Sequence, residues 1–140
     1  MQDSAKRGIG IDKLYQLDFY EGAVRLSAPA QFSSDADTEI TLAAIDRRPL
    51  RVRYMERHFK HTQTFIPLQG KAFAMVLTPP NNDELPDLTM ARALVFDGSA
   101  GFCLHIGTWH EFPLALLDDT RVVVILRDRK STRLNSSHRH

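Results

Sequence analysis

At 140 residues the chain has room for one domain with a real core and does not have room for two. A hydrophobic fraction of 43% beside 25% charged residues is ordinary for a globular chain. The single cysteine, Cys103, excludes an internal disulfide framework and suits a reducing compartment. No apolar run reaches membrane-spanning length, and the opening M-Q-D-S-A-K-R-G-I-G has no apolar core of a signal peptide, so a cytoplasmic protein without a membrane partner is expected.

The elements follow in chain order. Lys13–Phe19 and Ala23–Leu26 flank Glu21-Gly22 and read as strand, turn and strand. Ser27–Asp37 is small and polar with one proline, a loop by composition. Glu39–Ile45 is β-branched and apolar. Leu50–Tyr54 alternates, with Leu50, Val52 and Tyr54 on one face and Arg51 and Arg53 on the other, which predicts a strand. Phe65–Leu68 runs into a turn at Gln69-Gly70, and Ala72–Leu77 resumes as a strand. Pro79–Pro86 is a loop. Leu88–Arg92 has room for one helical turn. Ala91–Phe96, Phe102–His105 and Val122–Leu126 complete the set of strands. Short strands separated by frequent turn signals predict an all-β sandwich or barrel.

The run Asp128–His138, D-R-K-S-T-R-L-N-S-S-H, resembles a translated sequencing-library adapter. We therefore expect a single domain over residues 1–127, truncated at both ends, followed by a non-native tail over 128–140. That tail holds Arg129, Lys130, Arg133 and Arg139 against Asp128. Without it 14 basic side chains face 16 acidic ones, a net of −2 in place of +1. The basic tail is thus no argument for a nucleic-acid partner.

Two stretches concentrate chemistry. Glu56–Gly70 reads Glu56-x-His58-x4-Gln63-x6-Gly70, and Gly98–Pro113 reads Gly98-x6-His105-x-Gly107-x2-His110. Residues two apart on a strand point to the same face, so Glu56 and His58 can share one centre. Gly70 permits the positive φ of a tight turn. The spacings resemble the two cupin motifs, H-x-H-x4-E-x6-G and G-x5-P-x-G-x2-H. Glu56 stands for the first His, Gln63 for the Glu and His105 for the Pro, and the second motif is one residue longer at its start. The resemblance implies a cupin-type β-barrel (double-stranded β-helix, or jelly roll).

The same substitutions occur with Thr62-Gln63-Thr64-Phe65-Ile66-Pro67 beside them, with Pro86-Asp87-Leu88, Arg92-Ala93-Leu94, Gly98 and Gly101, and Trp109-His110. This set resembles the ureidoglycolate lyase family of allantoin degradation, densely from Glu56 to Pro113. The resemblance implies a carbon–nitrogen lyase of the amidine-lyase class that splits ureidoglycolate into glyoxylate and urea, with a divalent metal, nickel being the expected one, and a homodimer. It implies Glu56, His58, Gln63 and His110 as metal ligands and His58, His105 and His110 as candidates for catalysis. Substrate contacts are expected from Gln63, and from Arg51 and Arg53 unless those two form a solvated face. Trp109 either walls the pocket or packs in the core. His61, three residues from His58, is expected to face solvent on the opposite side of the strand. Lys71 is expected in solvent at the hairpin, and Cys103 as an apolar filler. The rival readings are a non-catalytic cupin module holding a small carboxylate and another metal-dependent cupin enzyme.

Overall fold

The computed structural model describes residues 15–16, 20–26, 28–128 and 138–139. Residues 1–31 form one unit and residues 32–140 another. In the first, β1 (Tyr15–Gln16) pairs antiparallel with β2 (Arg25–Leu26). Glu21 and Gly22 both take positive φ at the expected turn between them. The remainder of the expected Lys13–Phe19 strand lies outside the described residues.

The second unit carries two antiparallel sheets. One has the order β3 (Thr38–Ile45), β11 (Thr120–Arg127), β5 (Gln63–Pro67), β8 (Phe102–Leu104). The other runs β10 (Leu114–Ala115), β6 (Phe73–Thr78), β9 (Trp109–His110), β4 (Glu56–Arg57), β12 (His138–Arg139), with β7 (Arg92–Phe96) on the free side of β6. Among the described residues the helical structure is confined to 3-10 turns such as Leu88–Met90, capped by the Asp87 carboxylate accepting from the Thr89 N–H. No helix among them is long and apolar enough to cross a membrane. The fold is the all-β, cupin-type barrel that the motif spacing implied.

Alternation builds the core. In β6, Phe73 and Met75 are buried while Ala74 and Val76 are less so; in β11, Val122 and Val124 are buried. They meet Ile45, Phe65, Leu104 and Ala115 from the neighbouring strands. Phe65, Phe73, Phe96 and Phe102 add ring contacts at centroid separations of 4.5–5.9 Å.

Two expectations need correction. Leu50–Tyr54 forms no strand: the segment is irregular and its side chains are exposed, because its backbone N–H groups at Arg53 and Tyr54 bond to the Glu111 carboxylate instead of a neighbouring strand. The Glu56–Gly70 stretch is not continuously extended, since Phe59 and Lys60 form a bend. Within residues 128–140, His138–Arg139 forms β12, paired with β4 at His138–Arg57 and Arg139–Glu56.

Gly98 and Gly70 face each other. A Cβ on Gly98 would collide with the Gly70 carbonyl, whereas one on Gly70 would meet nothing; both residues have positive φ, +87° and +62°. Gly70→Ala is expected to cost about 1 kcal/mol from conformation alone. Gly98→Ala, with steric collision added, is expected to cost distinctly more, about 3 kcal/mol. Urea denaturation of both variants checks the order, and an equal cost would refute the close approach.

Candidate metal and substrate site

The site forms where the two motifs are stitched together. Glu56 of β4 pairs with His110 of β9 across the ladder, which puts the two side chains side by side. Beyond β4 the Gly107 N–H donates to the His58 carbonyl at 2.8 Å. Gly107 holds φ +84° there, and a Cβ would press on Pro80 at 3.2 Å, so the turn that delivers His110 suits glycine. As a result Glu56, His58 and His110 bring one donor atom each to within 4.8 Å of one another. Two imidazoles and a carboxylate make a donor set fit for a divalent ion of intermediate softness.

His110 is buried, and its Nδ1 lies 3.0 Å from the Thr108 carbonyl. A carbonyl only accepts, so Nδ1 carries the proton and Nε2 keeps its lone pair for a ligand. Burial pushes the His110 imidazole below its ordinary 6.5, against the raising effects of the Thr108 carbonyl and the Glu56 carboxylate.

A cavity of about 440 Å³ opens beside the cluster. Glu56, His58, His61 and Gln63 supply its polar side, and Phe112, Val124 and Leu126 its apolar side. Gln63 is 6% exposed, and its Oε1 has no hydrogen-bond partner. A buried acceptor without a donor is costly to leave so, which points to a ligand that brings a donor to it.

His61 departs from the sequence reading: it is buried, with its ring centroid 4.5 Å from that of His58. The bend at Phe59–Lys60 cancels the strand alternation that placed it opposite His58. Residues 33–35 then fix the turned segment: Thr62 N–H donates to the Ser33 carbonyl at 3.0 Å, and Asp35 N–H to the Lys60 carbonyl at 3.1 Å. The H-x-x-H spacing was a visible signal; the bend that gives it meaning was not. Burial, then the Arg127 charge, hold the His61 imidazole below its ordinary value, and Asp35 opposes them.

The remaining candidates lie apart. His105, Arg51 and Arg53 are exposed and do not line the cavity. Trp109 is fully buried; its Nε1–H donates to Asn81 Oδ1 at 3.0 Å and its ring stacks under the Arg57 guanidinium at 4.1 Å. It therefore packs and does not wall the cavity. Lys71 donates to the Asp118 carbonyl, and Cys103 is half-buried.

The family model for ureidoglycolate lyase matches residues 20–139. The chain belongs to the ureidoglycolate lyase family. It is 36% identical over 103 residues to a ureidoglycolate lyase of Azotobacter vinelandii, covering 71% of this chain and 61% of that protein. It is 35% identical over 79 residues to a ureidoglycolate lyase of Escherichia coli K12, covering 53% and 48%. A Shigella boydii ureidoglycolate lyase is 37% identical over 75 residues, covering 50% and 46%. The chain thus spans about half to three-fifths of the length of the curated relatives it matches.

Within this family site the two buried histidines make folding pH-dependent. Both have folded pKa values below their ordinary 6.5, so the unfolded chain binds protons that the folded one refuses. Their contribution is complete above about pH 6.5 and is lost as pH falls toward the folded values. The metal-free protein is expected to melt at progressively lower temperature from pH 7 to pH 5. A melting temperature flat across that range would contradict the burial of both rings.

Proposed function

We propose that the protein is a ureidoglycolate lyase, a carbon–nitrogen lyase releasing glyoxylate and urea, working as a cytoplasmic homodimer in allantoin catabolism. The observation that carries the reading is the convergence of Glu56, His58 and His110 beside an apolar-walled cavity into which the family-typical Gln63 brings an unpartnered acceptor. Family membership supplies the substrate class. Ile40 on β3 is 74% exposed, an apolar side chain that a second copy would cover.

Glu56, His58 and His110 are assigned as the holders of a divalent ion, with nickel as the expected metal. Such an ion, when bound, would lower the pKa of the substrate hydroxyl and grip its carboxylate. The remaining work falls to the chain. The reacting carbon carries a hydroxyl, a carboxylate and the ureido nitrogen. A Glu56 carboxylate oxygen takes the hydroxyl proton. The carbonyl of glyoxylate forms as the C–N bond breaks, and its electron pair leaves on nitrogen. The same Glu56 oxygen returns the proton to that nitrogen, so urea departs neutral and no proton is gained or lost overall. Gln63 Oε1 accepts from a ureido N–H and aligns the leaving group. Gln63 is neutral and a poorer ligand than a carboxylate, so its role is assigned to the substrate in preference to the metal. Phe112, Val124 and Leu126 keep water from the bond being broken. His105, Arg51 and Arg53 receive no step.

Glyoxylate release from ureidoglycolate, followed with chelator and with added nickel or manganese, tests the reading. Metal-dependent release is expected, and His110→Ala is expected to lower it by at least about a hundredfold while the fold persists. Full activity in that variant would sink the assignment. Stoichiometric carboxylate binding without product would favour the non-catalytic module.

A further inference from the structure

His61 lines the cavity, yet it is not among the residues whose donor atoms converge with Glu56. A further restraint lies behind the ring. The Arg127 backbone N–H points at His61 Nδ1 from 3.3 Å. A backbone N–H can only donate, so Nδ1 must be the acceptor and hold the lone pair. A neutral imidazole has one such nitrogen, and the other, Nε2, then bears the hydrogen. An Nε2–H cannot ligate a cation; it can only donate a hydrogen bond. Two anchors hold the arrangement. Arg127 sits in β11 and its guanidinium is paired with the Asp35 carboxylate. Residues 33–35 are bonded to residues 60–62 on the other side of His61.

Gln63 stands two residues further along the extended chain and lines the same cavity, so the two side chains leave the backbone on one side. One offers a buried acceptor with no donor, Oε1; the other a neutral donor, Nε2–H. A donor beside an acceptor, both uncharged, is the complement of an amide-like group that presents an N–H beside a carbonyl.

We propose that His61 and Gln63 form a clamp for the ureido group, with His61 donating to the ureido carbonyl oxygen and Gln63 accepting from the ureido N–H. This rests on the lyase reading and deepens it. As the C–N bond breaks, its electron pair is delocalised from nitrogen onto that carbonyl oxygen, and a fixed N–H donor stabilises the charge developing there. His61 is thereby a substrate-contacting residue and not a metal ligand.

The test uses urea and oxalate as separate probes of the two halves of the site, measured by titration calorimetry or competition on the full chain. His61→Phe keeps a ring and removes the donor; His61→Gln restores an N–H near the position of Nε2. In His61→Phe, urea is expected to bind about tenfold more weakly, the worth of one buried hydrogen bond, with oxalate unchanged. His61→Gln is expected to recover most of the loss. Nickel content per chain is expected to stay at the wild-type level in both, whereas His58→Ala loses it. Three results would overturn the clamp: equal weakening of urea and oxalate, loss of metal with His61, or no urea binding by the wild-type protein. Because these are binding readouts, they are separate from turnover: failure of ureidoglycolate to yield glyoxylate would sink the lyase reading, whereas the urea and oxalate titrations decide whether His61 grips a ureido group. A His61→Phe chain that melts before binding can be measured leaves His61→Gln to decide, since a clamp requires it to bind urea within about threefold of wild type.

Discussion

The Gly107 N–H to His58 carbonyl bond, at 2.8 Å, is the contact on which the site depends. It joins the turn before β9 to the end of β4, and the Glu56–His110 ladder pair lies next to it. Together they fix the separation of three donor groups that come from stretches more than fifty residues apart in the chain. The close approach of Gly98 to Gly70 does the same at the other end of the two motifs. Both joints use backbone positions where a side chain would strain or collide, so the motif glycines act as spacers between segments as well as turn formers.

Around this joint the charged side chains of Arg57 and Glu111 are buried, and both are held by specific partners. Arg57 is 3% exposed, lies between the Phe59 and Trp109 rings and donates to the Asn81 and Asp83 carbonyls. It fastens the Pro79–Pro86 loop, and Pro80 of that loop stands where a side chain on Gly107 would press. Glu111, directly after His110, is buried and accepts from the Arg53 N–H at 2.8 Å and from Arg48 at 3.3 Å. Arg48 also donates to the Phe112 and Pro113 carbonyls. Burying a charge is tolerable only with such partners, and removing one partner is costlier than never having the pair. These residues show no contact with the cavity, but they hold both flanks of β9 and hence His110.

Much of this was legible in the chain. Thr38–Ile45, Gln63–Pro67, Phe73–Thr78 and Thr120–Arg127 announce themselves through β-branched and apolar runs between turn residues. The Glu56, His58 and His110 convergence followed from motif spacing. The failures share one cause. Leu50–Tyr54 has perfect alternation and no neighbouring strand, because periodicity reports what a segment can bury and not whether a partner is present. His61 was placed by counting residues along an extended chain that in fact bends at Phe59–Lys60, held by residues 33–35 from a loop far away in sequence. For Arg51 and Arg53 the chain left open a solvated face or a substrate contact; they and His105 are exposed, and that exposure is a property of the tertiary fold. Local pattern gave elements; non-local hydrogen bonds decided which side chains meet.

The three clustered imidazoles make that last point in chemical terms. His58 lies between His61 and His110, with ring centroids 4.5 and 5.1 Å away. His110 directs Nδ1 at a carbonyl oxygen and His61 directs Nδ1 at a backbone N–H. The same atom must therefore donate in one ring and accept in the other. The two histidines are held in opposite tautomers by nothing more than which backbone group stands behind them. One is left with a lone pair toward the cluster and the other with a hydrogen to donate. Sequence spacing separated His61 from His58 and His110 by face; in the fold all three rings cluster, and the backbone groups behind His61 and His110 set them apart by tautomer.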